Sequence, residues 1–269
     1  MAILLGAVAY DPKVVTIWDG FARFFEAAGL PFDYVLYTSY ERQVAAHLRG
    51  DVNVAWNSPL AWLQAKAAAE AAGREAHAIV MRDTDCDLTS FIVVRADSHY
   101  ESLESLKGKR VGVGAGDSPQ ATMIPLDFLA AAGVGVEVVR HDVLVGKHGD
   151  HIGGERDAAK ALMRGEVEAA CMIDGNHLLF GKEGTLPAGS TRVLAITPPY
   201  DHCNFTVLDR PTADHRRFAD LLLAMSFNDP ALRPLLELEG LKAWVPGRTH
   251  GYAPLERACA RFGLPALGV

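Results

Sequence analysis

The sequence predicts an α/β protein built as two Rossmann-like lobes joined by two hinge crossings. Three observations carry that prediction. Short apolar runs of strand length alternate with stretches of helical periodicity that stop at Gly or Pro, the pattern of successive βα units. The alternation occurs twice along the chain. Val44-Ala45-Ala46-His47-Leu48-Arg49-Gly50-Asp51-Val52 also matches Ala159-Lys160-Ala161-Leu162-Met163-Arg164-Gly165-Glu166-Val167 in character, at an offset of 115 residues, the mark of an internal repeat.

In chain order, residues 2–9 are the first strand. Residues 13–28 follow with Val14, Ile17, Trp18, Phe21, Phe24 and Phe25 at helical spacing before Gly29 and Pro31. Residues 32–37 form a second strand, and Thr38-Ser39-Tyr40-Glu41 has the spacing of a capping box that opens a helix to Leu48. After a third strand at 52–56, Ser58-Pro59 supplies an N-cap and a first helical residue to an Ala-rich helix ending at Gly73.

The second pass repeats this order. Strand 109–114 leads to Ser118-Pro119 and a helix through Phe128, followed by strand 136–139, helix 157–163 and strand 167–173. Apolar segments 89–96 and 193–197 bracket the second copy and are the expected crossings. From Phe205 a further strand, a helix at 214–226 and a Pro-rich helical tail return to the first lobe. The expected lobes are residues 1–90 with 203–269 and residues 91–202, with a ligand cleft between them.

Charge and cysteine content exclude several classes. The 269 residues carry 26 Lys and Arg against 33 Asp and Glu, a net charge of −7, which leaves no basic surface for nucleic acid. No apolar run reaches the roughly 18 residues of a membrane-spanning helix. The first basic residue is Lys13, so residues 2–9 lack the charged flank of a signal peptide and read as a strand. As written the chain reads as cytoplasmic, and as periplasmic or lipid-anchored if a leader preceded it. Cys86, Cys171, Cys203 and Cys259 are scattered, with no CxxC pair, and read as free thiols.

Both Ser-Pro pairs follow a strand directly, which opens two helix starts at the carboxyl ends of their sheets, where such folds bind ligands. Helix starts offer backbone N–H groups and partial positive charge, so a small anion is the expected ligand. Gly112-Val113-Gly114-Ala115-Gly116-Asp117 places Asp117 where a dinucleotide fingerprint needs its third glycine. No cofactor is expected, and the glycines read as a flexible turn. His148, Asp150 and His151, with Glu155 nearby, have the chemistry of metal ligands but match no zinc spacing, and read as part of a polar loop. Asp201-His202-Cys203-Asn204 and Asp85-Cys86-Asp87 fall near the crossings, where side chains can meet a ligand. Alternation along an extended segment turns His202 away from Cys203, so activation of that thiol would fall to His151 or His177.

The chain resembles the solute-binding proteins of phosphate, phosphite and phosphonate ABC transporters over residues 3–210. Tyr40, Arg49-Gly50-Asp51-Val52-Asn53-Val54-Ala55-Trp56-Asn57-Ser58-Pro59, Leu106-Lys107-Gly108-Lys109-Arg110-Val111-Gly112 and Gly165-Glu166-Val167-Glu168-Ala169-Ala170 carry the resemblance. It implies a type 2 periplasmic-binding-protein fold, a small anionic or zwitterionic ligand and a transporter permease as partner. The family's S-T-S-G helix start reads here Ser118-Pro119-Gln120-Ala121, and Arg156 stands where the family usually has His. Tyr40 and Asp174 match ligand-contacting positions. The ligand-binding candidates are Tyr40, Asn57, Ser58, Cys86, Ser118, Gln120, Arg156, Asp174, His202 and Cys203. A second reading stays open, a cytoplasmic enzyme on the same fold that acts on a small carboxylate through Cys203, His151 or His177, or through a metal.

Overall fold

The computed structural model describes residues 2–9, 12–142 and 151–263. The chain begins with β1 (Ile3–Val8), α1 (Lys13–Ala27), β2 (Phe32–Tyr37), α2 (Tyr40–Arg49), β3 (Val54–Asn57), α3 (Pro59–Ala71) and β4 (Ala76–Arg82). It continues through β5 (Ser90–Arg95), β6 (Arg110–Val113), a π-helical turn (Pro119–Met123) running into α4 (Ile124–Ala131), β7 (Glu137–Arg140), α5 (His151–Met163), β8 (Ala169–Ile173), α6 (Asp174–Glu183) and β9 (Thr191–Ile196). It ends with β10 (Asn204–Leu208), α7 (Ala213–Leu223), α8 (Arg233–Glu239), β11 (Trp244–Pro246) and α9 (Ala253–Phe262).

The described residues divide into two compact units, one drawn from 2–86 and 201–252, the other from 87–200 and 253–263. The first holds a sheet of order β11-β4-β10-β3-β1-β2, the second a sheet of order β7-β6-β8-β5-β9. Within each, three strands pair in parallel, β2-β1-β3 and β7-β6-β8. A strand from another part of the chain, β10 or β5, then joins antiparallel to both its neighbours. The repeat visible in the sequence is therefore a repeat of topology. Its two matched segments end α2 and α5, each followed by a left-handed glycine, Gly50 at φ 82° and Gly165 at φ 72°. Only glycine adopts that geometry without strain.

The predicted crossings at 89–96 and 193–197 prove to be β5 and β9, paired with each other inside the second sheet. The chain changes unit beside them, at Cys86 to Asp87 and at Tyr200 to Asp201. Helix α9, expected with residues 203–269, groups with the second unit, where Arg261 Nε binds Asp127 Oδ1 on α4 at 2.6 Å. Helix α5 begins at His151, earlier than the expected 157, so the polar stretch through Asp157 is helix from His151 onward. At α2 the cap is Ser39, which accepts from Arg42 N–H, and the register with Thr38 and Glu41 is not used. Gly112 and Gly114 serve close packing rather than flexibility. A Cβ at Gly112 would meet Val167 at 3.2 Å, and one at Gly114 would meet Ala121 at 3.0 Å.

The first unit's core is aromatic. Trp18, Phe21, Phe25, Trp56, Phe205, Phe218 and Trp244 are buried together, with Phe218 stacked on Phe25 at 5.0 Å and edge-on to Phe205 at 5.1 Å. The second unit's sheet buries aliphatic groups on both faces, Ile92, Val94 and Cys171 on one and Val93, Ala170 and Met172 on the other. This is the alternation expected of strands covered by helices on both sides.

A head-to-tail chain of hydrogen bonds runs through the first unit. Gln43 Nε2 donates to Asn57 Oδ1 (2.7 Å), Asn57 Nδ2 to Thr206 Oγ1 (2.8 Å), and Thr206 Oγ1 to Asn204 Oδ1 (2.7 Å). Asn204 Nδ2 then donates to the Tyr252 hydroxyl (2.8 Å), which donates to the His202 carbonyl (2.8 Å). Gln43, Asn57, Asn204, Thr206 and Tyr252 have no exposed surface, so water cannot replace a missing partner. Replacing Thr206 by Val keeps the shape but orphans Asn57 Nδ2 and Asn204 Oδ1. At roughly 1–3 kcal/mol for each buried unsatisfied group, urea denaturation of Thr206→Val should show a loss of about 2–6 kcal/mol.

Candidate functional site

In the first unit β3 ends at Asn57 and α3 starts at Pro59, with Ser58 between them as N-cap. The Ser58 hydroxyl accepts from Ala61 N–H at 3.3 Å. Proline fits here because the first helical residue has no intrahelical use for an N–H. Tyr40, the first residue of α2, is half-buried and packs on Val44, Ala61 and Ala65. The Asn57 amide is committed at both ends to Gln43 and Thr206.

The same unit buries an ionic cluster. Arg82, at the end of β4, holds Asp85 with two nitrogens, Nε to Oδ2 at 2.5 Å and Nη2 to Oδ1 at 2.9 Å, and reaches Glu239 Oε1 at 3.3 Å. Burial pushes the Asp85 carboxyl up, but the Arg82 charge and hydrogen bonds from His202 and Arg82 outweigh it and hold the group at about 2. His202 Nδ1 lies 3.1 Å from Cys203 Sγ and 3.5 Å from Asp85 Oδ1. The expected separation of His202 from Cys203 fails because residues 201–203 precede β10 and do not alternate as a strand.

That contact does not make Cys203 a nucleophile. Burial, with the negative charge of Asp85, pushes its thiol well above the ordinary range, and a thiol so placed stays protonated. Asp85, His202 and Cys203 bring an oxygen, a nitrogen and a sulfur within 4.8 Å of one another. Arg82 already occupies both Asp85 oxygens, which sets a fixed positive charge against any cation there. Cys86 turns its sulfur to the Arg82 carbonyl at 3.6 Å.

In the second unit the same local plan recurs with a different turn. β6 ends at Val113, and Ser118 caps the π-helical turn by accepting from Ala121 N–H at 3.2 Å. Ser118 is fully buried and Gln120 nearly so. Ser90 Oγ donates to the Gln120 carbonyl at 2.5 Å and lies 2.8 Å from the Tyr200 hydroxyl. Gln120 Nε2 donates to Glu155 Oε1 at 3.2 Å, and Glu155 Oε2 accepts from Ile173 N–H and Asn176 Nδ2, both at 2.9 Å. Burial pushes the Glu155 carboxyl up to about 7, against the pull of the three donors.

The remaining candidates separate. Asp174, at the start of α6, accepts from Thr89 Oγ1 at 2.9 Å and from Gly175 N–H at 2.6 Å. Arg156 turns its fork to Glu183, with Nε to Oε1 at 2.7 Å, and lies over the Phe180 ring. His151 Nε2 is 3.4 Å from Asp117 Oδ1. His177 packs edge-on to Phe91 at 5.5 Å, and burial lowers its pKa. His148 and Asp150 lie outside the described residues. Cys203 belongs to one unit, His151 and His177 to the other.

Gln43 and Arg82 escaped the sequence reading, and Glu155 figures in it only as a carboxylate beside the metal-ligand candidates of the polar loop. A signal for Glu155 was present, because Glu155, Ala158, Ala159 and Leu162 share one helical stripe and the other three are apolar. A carboxylate on such a stripe is buried, and a buried carboxylate needs donors.

The sequence model of the family described as ABC transporter, phosphonate, periplasmic substrate-binding protein matches residues 7–252. Among solved structures, PhnD1 from Prochlorococcus marinus in complex with methylphosphonate is similar at TM-score 0.70 and 16% identity, covering 98% of each chain. XAC2383 from Xanthomonas citri bound to ATP reaches TM-score 0.69 at 16% identity, over 99% of this chain and 98% of the other. The periplasmic aliphatic sulphonate binding protein SsuA from Escherichia coli reaches 0.59 at 16% identity, over 97% and 86%. These likenesses give the two-lobed type 2 periplasmic-binding-protein fold. Comparison with curated proteins finds no match.

The Glu155 shift has a consequence for stability. A carboxyl whose folded pKa is raised from 4.5 to about 7 contributes fully below the lower value and loses that contribution as pH rises through the upper one. The unfolding free energy of the wild type relative to Glu155→Gln should therefore fall by about 3 kcal/mol between about pH 4 and about pH 8. Paired urea denaturations across that range measure it.

Proposed function

The chain belongs to the family of ABC transporter phosphonate periplasmic substrate-binding proteins, and from that premise we propose that it captures a small anionic or zwitterionic solute, a phosphonate or organic acid, for a transporter permease. The observation that supports this reading is the recurrence, once in each unit, of a serine-capped, proline-primed helical start directly beyond a sheet strand. Such starts present N–H groups lacking intrahelical acceptors and the positive end of the helix dipole. Ser58 and Ser118 are the central contacts under this reading, with Tyr40, Gln120 and Asp174 beside them. Among the described residues no helix is long and apolar enough to cross a membrane.

The test is a calorimetric titration against methylphosphonate, inorganic phosphate and small carboxylates, paired with thermal melts. A ligand at about 1,000 times its dissociation constant adds about 4 kcal/mol to the unfolding free energy. Ser118→Ala removes the hydroxyl as a solute contact, a hydrogen bond worth about 1 kcal/mol, and should weaken binding of the preferred solute roughly fivefold, apart from the fold stability lost with the cap. Unchanged affinity in that variant would count against the Ser118 start as a ligand contact.

A further inference from the structure

In the second unit, the chain's own carboxylate already takes a backbone N–H at the start of α6 and a side-chain donor of the Ser118 turn. Glu155 has no exposed surface. Its Oε2 takes the N–H of Ile173, which precedes α6, and the side-chain amide of Asn176 in the first turn of α6. Its Oε1 takes Gln120 Nε2, from the turn that Ser118 opens and α4 continues. The carboxylate thus takes one backbone N–H at the start of α6 and the side-chain donor of Gln120 at the Ser118 turn, donors that a free anion beside a helix start would otherwise use. A second observation is independent of it. The other end of the Gln120 amide, Oε1, is buried and has no donor among the described residues. Beside Ser118 the turn therefore offers a solute an acceptor, where a phosphonate oxygen needs a donor.

We propose that Glu155 and Gln120 set the specificity of this site, favouring a solute group that donates a hydrogen bond, such as an ammonium or a protonated acid, and admitting a bare oxyanion only when Glu155 takes up a proton. The proposal rests on the reading that solute binds at the Ser118 turn. In the ionised state Gln120 Nε2 is held by Glu155 and Oε1 accepts from the solute. When a solvent proton adds to Glu155 Oε1, the resulting carboxylic acid donates to Gln120 Oε1. The amide turns over, and Nε2 is released to donate to an oxyanion.

The other titratable groups around Glu155 do not substitute for it. His151 on its own helix faces Asp117. On β8 burial pushes the Cys171 thiol up to about 12, and burial raises the Tyr200 hydroxyl above its ordinary range. From α6, Asp174 binds Thr89 and His177 packs on Phe91. After β6, Gly114 faces the Glu155 side chain with no charge of its own, and on β5 the Ser90 hydroxyl is held by the Gln120 carbonyl and the Tyr200 hydroxyl.

Methanesulfonate tests this because its charge does not change between about pH 5.5 and about pH 8.5. Calorimetry on the wild type should show affinity weakening about tenfold per pH unit above neutrality, as expected when binding requires one proton. Proton uptake, read from buffers of different ionisation enthalpy, should approach one per bound anion near pH 8. Glu155→Gln should bind at least tenfold more tightly than the wild type at about pH 8.5, with a flat profile, and His151→Asn should keep the wild-type slope. A flat wild-type profile without proton uptake overturns the proposal whether or not Glu155→Gln folds. If methanesulfonate, methylphosphonate and phosphate all fail to bind wild type and variant, the solute reading of the Ser118 turn falls, and this inference with it.

Discussion

The buried hydrogen-bond chain from Gln43 through Asn57, Thr206, Asn204 and Tyr252 to the His202 carbonyl holds together parts of the sequence that have no local reason to meet. The Asn57 to Thr206 bond joins side chains 149 positions apart in sequence, across the antiparallel pairing of β3 with β10. From Asn57 to Tyr252 each side chain donates to the next and accepts from the one before, so removing any of these inner members orphans two groups in a buried region. This chain fixes β10 against β3, and β10 carries β4 and β11. The Arg82 to Asp85 pair at the end of β4 and the position of Ser58 after β3 both depend on that arrangement.

The second unit reaches the same topology by different means. Its inserted strand, β5, is held by aliphatic packing on both faces and by Ser90, which ties the strand to the Gln120 carbonyl and faces the Tyr200 hydroxyl. The polar investment is concentrated instead around Glu155. A buried carboxylate with three donors joins α5, the Ser118 turn and the start of α6. Membership in the phosphonate-binding family and an in-built carboxylate at one helical start are compatible when the solute carries its own proton or ammonium group.

Most of the fold was legible in the sequence because strands, helices and their caps are local. Val14, Ile17, Trp18, Phe21 and Phe25 announce the buried face of α1 through spacing alone, and Ser58-Pro59 announces the start of α3. The misreadings arose where local rules had no purchase. His202 and Cys203 were treated as alternating strand residues, yet the strand begins one residue later. Thr38 and Glu41 satisfy a capping pattern that Ser39 fulfils instead. The glycines of 112–116 suggest a loose turn, yet two of them exist to let Ala121 and Val167 approach.

The candidate site was half legible for the same reason. Ser58 and Ser118 could be identified from sequence as helix caps, because a cap is set by its own residue and the next three. The roles of Asn57, Arg156 and Glu155 could not, since each depends on which distant group the fold brings near: Thr206 for Asn57, Glu183 for Arg156, and Gln120 with Asn176 for Glu155. By itself the sequence determined the βα order, the duplication and the two capped starts, all of which follow from spacing within a few residues. Tertiary structure alone decided which polar side chains are consumed within each unit and which carboxylate ties the Ser118 turn to the start of α6, because a buried polar group is defined by its partners, and those lie far away in the chain.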